Sequence, residues 1–253
     1  MQDEYALELI QKEKRIDGRK LDDYREIEIN QGIIEKAEGS ADVKLGRTEL
    51  IAGVKMTVGE PFLDTPDEGV LIVNAEFSPA AAPEFESGPP GEDAIELARI
   101  VDRGIRESKC IELKKLCLKS GELVWCVNVD IQIINHHGNL LDASALAALA
   151  ALLNARIPKL KEDKIVRGEF EGELPVVFKP INITVCKVGD KFLLDPCLEE
   201  EDVLDSRLAI SVRDDDTICS LQKQGDKELE IKDIESMVDI AMKKSKEIRK
   251  LIK

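Results

Sequence analysis

No stretch of this 253-residue chain is apolar for long enough to cross a bilayer. The longest unbroken run, Ala145 to Leu153, is nine residues, against the roughly 20 that a spanning helix needs. The opening MQDEYALELIQKEKR is acidic and lacks the basic-then-apolar order of a signal peptide. None of the six cysteines (Cys110, Cys117, Cys126, Cys186, Cys197, Cys219) forms a CxxC pair, which argues against a zinc ribbon or a thioredoxin-type site. Thiols scattered in this way suit buried, reduced side chains, so a soluble cytoplasmic protein is expected. The phosphate-cradling patterns G-x-x-x-x-G-K-[ST] and G-x-G-x-x-G are missing, and so is a G-x-S-x-G nucleophile elbow. Positive charge is also short. Lys and Arg number 36 against 51 Asp and Glu, a formal net charge of −15. The average field of such a surface repels a phosphate backbone, yet a local basic stripe remains open.

What is present reads as two blocks of strands followed by helices, the signature of an α+β fold. Residues 2 to 14 predict a short helix that Asp17-Gly18 breaks. From Glu26, short apolar runs separated by turn residues (Ile27 and Ile29, Ile33-Ile34, Gly39 to Leu45, Thr48 to Val58, Val70 to Glu76) predict an antiparallel meander. Residues 78 to 91, SPAAAPEFESGPPG, hold four of the ten prolines and predict an irregular loop. A helix is predicted from Glu92 to Glu107, with Ile95, Ala98, Val101 and Ile105 on its buried face. Alternation from Glu122 to Asn135 gives the clearest strand. Ala143 to Ala155, apolar nearly all round, predicts a buried helix. A charged link, Lys159 to Glu173, is expected before a smaller unit. In that unit, Pro175 to Val188 and Lys191 to Leu194 form a hairpin and Leu208 to Val212 and Thr217 to Gln222 pair. A closing helix, Ile231 to Ile252, buries Ile234, Met237, Val238, Ala241, Ile248 and Leu251, with Lys246, Arg249, Lys250 and Lys253 in its last turns.

Three groups could carry chemistry. Arg99, Arg103 and Arg106 lie at i, i+4 and i+7, on one face of a helix. That face is either solvated and internally paired, with Asp102 and Glu107 in reach, or a phosphate-gripping stripe. His136-His137 are read as turn imidazoles, because neighbouring side chains point apart and no further ligand lies at metal spacing. No metal site is expected. The acidic run Glu199-Glu200-Glu201-Asp202 is read as a solvated loop, and Asp205 beside it abuts a strand and could be fixed in place.

Arg15-Ile16-Asp17-Gly18-Arg19, then Gly39-Ser40-Ala41 and Gly46-Arg47-Thr48, resemble the opening of the RNase PH family. Residues 78 to 116 and 190 to 209 resemble the larger, non-catalytic RNase PH-like subunit of the archaeal exosome. The resemblance runs from Arg15 to the final helix. It implies an RNase PH-like fold: a βαβα-type main domain (25–165) after an N-terminal helical extension (1–24), then a smaller C-terminal α+β domain (175–253). It also implies a hexameric ring of three heterodimers that threads single-stranded RNA. In such a ring a catalytic RNase PH-like partner carries out 3′→5′ phosphorolysis, and RNA-binding cap subunits sit on one face. No cofactor is implied.

Active relatives grip phosphate with Gly-Thr-Arg or Gly-Ser-Arg after the central strand. Here that place reads Gly138-Asn139-Leu140-Leu141, and the loop from Ser78 to Gly91 has no Lys or Arg. The resemblance therefore implies an inactive subunit with no catalytic residues. Arg99 and Arg103, with Arg106 beside them, would bind RNA, and Asp205 would stand as a vestigial acid. Two alternatives stay open: an active phosphorolytic exoribonuclease using Asp205, or a purely architectural ring scaffold.

Overall fold

A computed structural model describes residues 2–162 and 164–252. Met1, Asp163 and Lys253, which fall in the expected N-terminal extension, charged link and closing helix, lie outside the described residues. After α1 (Gln2–Gln11), strands β1 (Ile27–Gln31), β2 (Gly39–Leu45) and β3 (Thr48–Gly59) form an antiparallel meander. Then come β4 (Val70–Phe77), α2 (Glu92–Glu107), a 3₁₀ turn (Leu113–Leu116), β5 (Cys117–Lys119), β6 (Leu123–Asn135) and α3 (Leu140–Leu153). A ribbon of β7 (Arg156–Lys161) and β8 (Lys164–Glu173) leads to β9 (Ile181–Val188), β10 (Lys191–Leu194), α4 (Leu198–Glu201), β11 (Ser206–Val212), β12 (Ile218–Gln224) and α5 (Ile231–Arg249).

The larger sheet runs β1-β2-β3-β6-β4, with β5 on the end of β6, and the smaller one runs β10-β9-β11-β12. Helix α3 lies between them and touches β2, β3, β6 and β9. That position explains its composition: both flanks meet a sheet, so Ala147, Ala148, Leu149, Ala150, Ala151 and Leu152 are all buried. Among the described residues no helix is long and apolar enough to cross a membrane.

Several expectations need correction. The first sheet is not wholly antiparallel, because β4 pairs β6 in parallel. Helix α2 supplies the crossover that a parallel pair requires, and strand periodicity carries no information on direction. Ile33-Ile34 is an exposed loop, where the Ile34 N–H donates to Ser40 Oγ (2.9 Å) instead of to a ladder. The charged segment 159–173 is no link but most of the β7–β8 ribbon, and the expected boundary at 165 falls inside β8. Its charges pair across the strands: Lys159 meets Glu169 at 3.1 Å, and the Arg156 guanidinium lies 3.9 Å from the Phe170 ring centre. Helix α1 ends at Gln11, short of 14. Three thiols, Cys110, Cys186 and Cys197, are buried, and the other three are half-buried. Burial pushes the Cys110 thiol up to about 12, leaving it protonated and inert at neutral pH.

Helix α2 is clamped between β4, α3 and β12. Its buried face is Ala94, Leu97, Ala98, Ile100, Val101, Gly104 and Ile105, whereas Ile95 is 50% exposed. In α5, Met237, Ala241 and Ile248 are buried, and Leu251, beyond the helix end, is exposed. Gly104 fixes how closely α2 approaches the smaller sheet. A Cβ there would lie 2.7 Å from Ser211 Oγ, which already donates to Asn182 Oδ1 at 3.1 Å. Gly104→Val is expected to lower stability by about 1–3 kcal/mol through overpacking. For a chain of this size that is a drop in melting temperature of about 2–4 °C per kcal/mol. An unchanged melting curve would contradict it.

Candidate functional site

Two surfaces flank α2, and they differ in sign. The first is its outer face. Arg99, Arg103 and Arg106 project there and are exposed. They line shallow grooves of about 380 and 340 Å³, the first shared with Gln222 of β12 and the second with Leu71 and Ile72 of β4. Arg103 Nη1 donates to Gln222 Oε1 (2.8 Å), which tethers the stripe to the smaller sheet. Arg106 is committed locally: its Nε donates to Asp102 Oδ2 (3.0 Å) and its Nη2 to Asp102 Oδ1 (2.6 Å) and Leu71 O (2.9 Å). The hydrogen bonds that it donates to Asp102 hold the guanidinium of Arg106 even more firmly protonated than usual. Among the described residues Arg99 has no hydrogen-bond or ion-pair partner. Exposed Ile72 and Ile95 lie beside the arginines, so this face is apolar as well as cationic.

The second surface is a cleft of about 450 Å³ where the two units meet. The start of α2 supplies Asp93, Glu96 and Leu97, and the proline-rich loop supplies Glu84 and Phe85. The end of β6 supplies His136, the start of α3 Leu140 and Leu141, α4 and its exit Glu201 and Asp202, and β11 Ser206 and Arg207. His136 stacks on Phe85 with ring centres 5.5 Å apart. Burial pulls its pKa down, so it adds no charge at neutral pH. Burial raises the Glu201 carboxyl, against the Asn139 N–H that donates to it at 2.9 Å. Five carboxylates thus face one guanidinium, that of Arg207, 3.6 Å from Glu201.

Beside this cleft, between His136 and Leu140, lies Gly138, with φ at +89°. A Cβ there would stand 2.4 Å from Pro196 O, so the turn leaving β6 can press on the α4 loop only without a side chain. Beneath it lies a polar core that sequence reasoning missed. Arg15 and Glu200 are both wholly buried. Nε donates to Oε1 at 3.0 Å and Nη2 to Oε2, while Arg15 also donates to Leu194 O (2.8 Å) and Asp195 O (2.7 Å). The Asp195 carboxylate accepts from Arg19 (2.9 Å), Arg25 (2.6 Å) and Asn139 (3.0 Å). Asp142, in the first turn of α3, accepts from Tyr24, Asn182 and Thr184, which binds α3 to β9. The acidic run is therefore no solvated loop: it forms α4, with Glu200 inside the molecule. Its only legible signal was the Arg-x-x-x-Arg of 15–19, whose need for buried acceptors depends on the fold.

Asp205, just before β11, is held in place. Its carboxylate accepts from the Gly189 N–H (2.7 Å) and from Lys227 Nζ (2.5 Å), and it does not line the cleft. Burial alone would raise its pKa, but Lys227 and Gly189 outweigh that and hold it below the ordinary range. The next two residues, Ser206 and Arg207, line the cleft instead. The two histidines bring no ligands together, and no group of three metal-ligating side chains occurs among the described residues.

Residues 23–158 match the model of the 3′ exoribonuclease family, domain 1, and residues 180–244 match domain 2 of that family. The chain is 48% identical over 250 residues to the exosome complex component Rrp42 of Archaeoglobus fulgidus, covering 99% of this chain and 95% of that protein. It superposes on a chain of the Archaeoglobus fulgidus exosome with RNA bound to the active site with a TM-score of 0.94. That pair shares 47% identity, covering 100% of this chain and 98% of the other. For a chain of an archaeal exosome core the TM-score is 0.89 at 45% identity, covering 100% and 96%.

Proposed function

Since the chain belongs to the 3′ exoribonuclease, or RNase PH, family, we propose that it is an RNA-positioning, non-catalytic ring subunit of an exosome. It would complete the active site of a catalytic RNase PH-like partner that degrades RNA by 3′→5′ phosphorolysis. The observation that carries the reading is the opposed sign of the two surfaces beside α2. Phosphorolysis needs a site that grips inorganic phosphate and the RNA backbone together. In this chain the cleft after β6, where active relatives place that grip, presents five carboxylates to one guanidinium. A phosphate dianion would be repelled there. Asp205, turned away toward Lys227, supplies no acid to that cleft.

The arginine face has the opposite character. Among the described residues Arg99 has no partner and Arg103 is held only by a neutral amide, so both guanidinium groups are available to phosphate oxygens. Arg106, neutralised by Asp102, serves the packing of α2 on β4 more than RNA. The exposed apolar side chains around the stripe suit a protein partner seated beside it, as two abutting RNase PH-like subunits would be. Cap subunits on one face of the ring belong to the same reading, and the net charge of −15 keeps RNA off the outer surface.

The test uses the complex assembled with its catalytic partner and a labelled poly(A) strand. Phosphate-dependent release of nucleoside diphosphates is expected from the assembly beyond the partner's own rate, and none from this chain alone. Replacing Arg99 and Arg103 with alanine should flatten the slope of log K against log salt by roughly 1 to 1.5, at about 0.7 per neutralised phosphate. Arg106→Ala should leave the slope nearly unchanged. An unaltered slope in the double variant would reduce the subunit to a scaffold, and diphosphate release by the isolated chain would make it an enzyme.

A further inference from the structure

The acidic cleft holds more than repulsion for phosphate. Ser206 is 1% exposed, and among the described residues its hydroxyl has no hydrogen-bond partner although it lines the cleft. Gln224 Oε1, on the same wall, is also buried and unpartnered. Buried polar atoms are nearly always satisfied, so two orphans on one wall of a cleft mark places that a ligand's donors would fill. Glu84, Asp93, Glu96 and Asp202 carry negative charge around them, and Phe77, Phe85, Leu140, Leu141 and Leu198 lie between.

We propose that this cleft binds a linear alkylamine carrying two or more ammonium groups, the chemistry of a polyamine. Three features select that class. Oxygen acceptors and carboxylates call for N–H donors bearing positive charge. The acids are spread around the cleft and do not converge: no group of three metal-ligating side chains occurs among the described residues, so a compact divalent cation lacks the oxygen cage it needs. Apolar side chains between the charges match methylene spacers between ammonium groups, as on the stems of lysine side chains. Ammonium groups can donate to Ser206 Oγ and to Gln224 Oε1, and the remaining charges meet the acids that line the cleft. This site is separate from the RNA-positioning role and does not depend on it.

Spermidine is the probe, titrated calorimetrically into the full chain at fixed ionic strength. One saturable site is expected. Glu84→Gln with Asp202→Asn should weaken it about tenfold or more, whereas Glu60→Gln with Glu122→Gln, the same charge change away from the cleft, should leave it unaltered. Ser206→Ala should weaken binding three- to tenfold while keeping or raising the melting temperature, because it removes an unsatisfied hydroxyl. A merely structural serine would not separate those two readouts. Equal losses in both paired variants would show diffuse counterion attraction to a net charge of −15 and overturn the proposal. So would the lack of a saturable site, or full displacement of spermidine by Mg²⁺ at equal ionic strength.

Discussion

A chain carrying Glu200→Ala is expected to lose about 3–5 kcal/mol of folding stability, the penalty of leaving one partner of a buried ion pair alone. Both side chains are fully excluded from water, and Arg15 makes four of its hydrogen bonds to Glu200, Leu194 and Asp195. Removing the carboxylate strands a guanidinium that cannot deprotonate. It also deprives the Cys197 N–H of the Glu200 oxygen it donates to at 3.0 Å, which unties α4 from its own start. Glu200→Gln, which keeps an acceptor and the volume but not the charge, should lose less. The denaturant midpoint should fall with an unchanged m-value, since the surface exposed on unfolding stays the same. A loss under about 1 kcal/mol would mean that water reaches Arg15 and the pair is not buried in the sense described.

Asp195→Ala is expected to be as severe, again about 3–5 kcal/mol, with a distinct dependence on pH. Arg19, Arg25 and Asn139 converge on one carboxylate that is itself 0% exposed. Burial alone would raise its pKa, but Arg25, by hydrogen bond and charge, together with Asn139, overcomes burial and holds it below the ordinary aspartate value. A group depressed in the folded state contributes stability that is present in full above its unfolded pKa and is lost as pH falls through the folded one. The natural chain should therefore lose stability steeply below about pH 4, and the Asp195→Asn chain, already without that contribution, should lose it less steeply. Parallel stability profiles for the two chains between pH 6 and 3 would contradict the assignment. The same substitution should loosen the turn after β6, because Arg25 also donates to His137 O (2.6 Å) and Gly138 O (3.1 Å).

Both variants act through residues that the sequence offered no reason to join. Arg15 and Glu200 are 185 positions apart and Arg25 and Asp195 are 170 apart. A run of acids beside a strand looks like a wet loop wherever its partners are unknown. The arginine stripe was legible because helical spacing alone puts Arg99, Arg103 and Arg106 on one face. Which of the three is free was not legible, since that depends on Asp102 folding back and on β12 bringing Gln222 alongside.

The amino-acid sequence by itself determined the elements with strong period or strong punctuation: α2 opening after the proline-rich loop, the alternating β6, the all-apolar α3 and the hairpin about Gly189-Asp190. It determined the family as well, because the order of short motifs over most of the chain survives without any knowledge of contacts. Tertiary structure alone decided the direction of β4 against β6, the pairing of the charged segment 156–173 into a ribbon, the burial of Glu200, and the sign of the cleft. The physical reason is common to all four. Periodicity records whether a residue meets water or protein within its own element. Strand direction, ion pairing and the field inside a cleft are properties of segments far apart in the chain, fixed only when packing brings them within a few ångströms of one another.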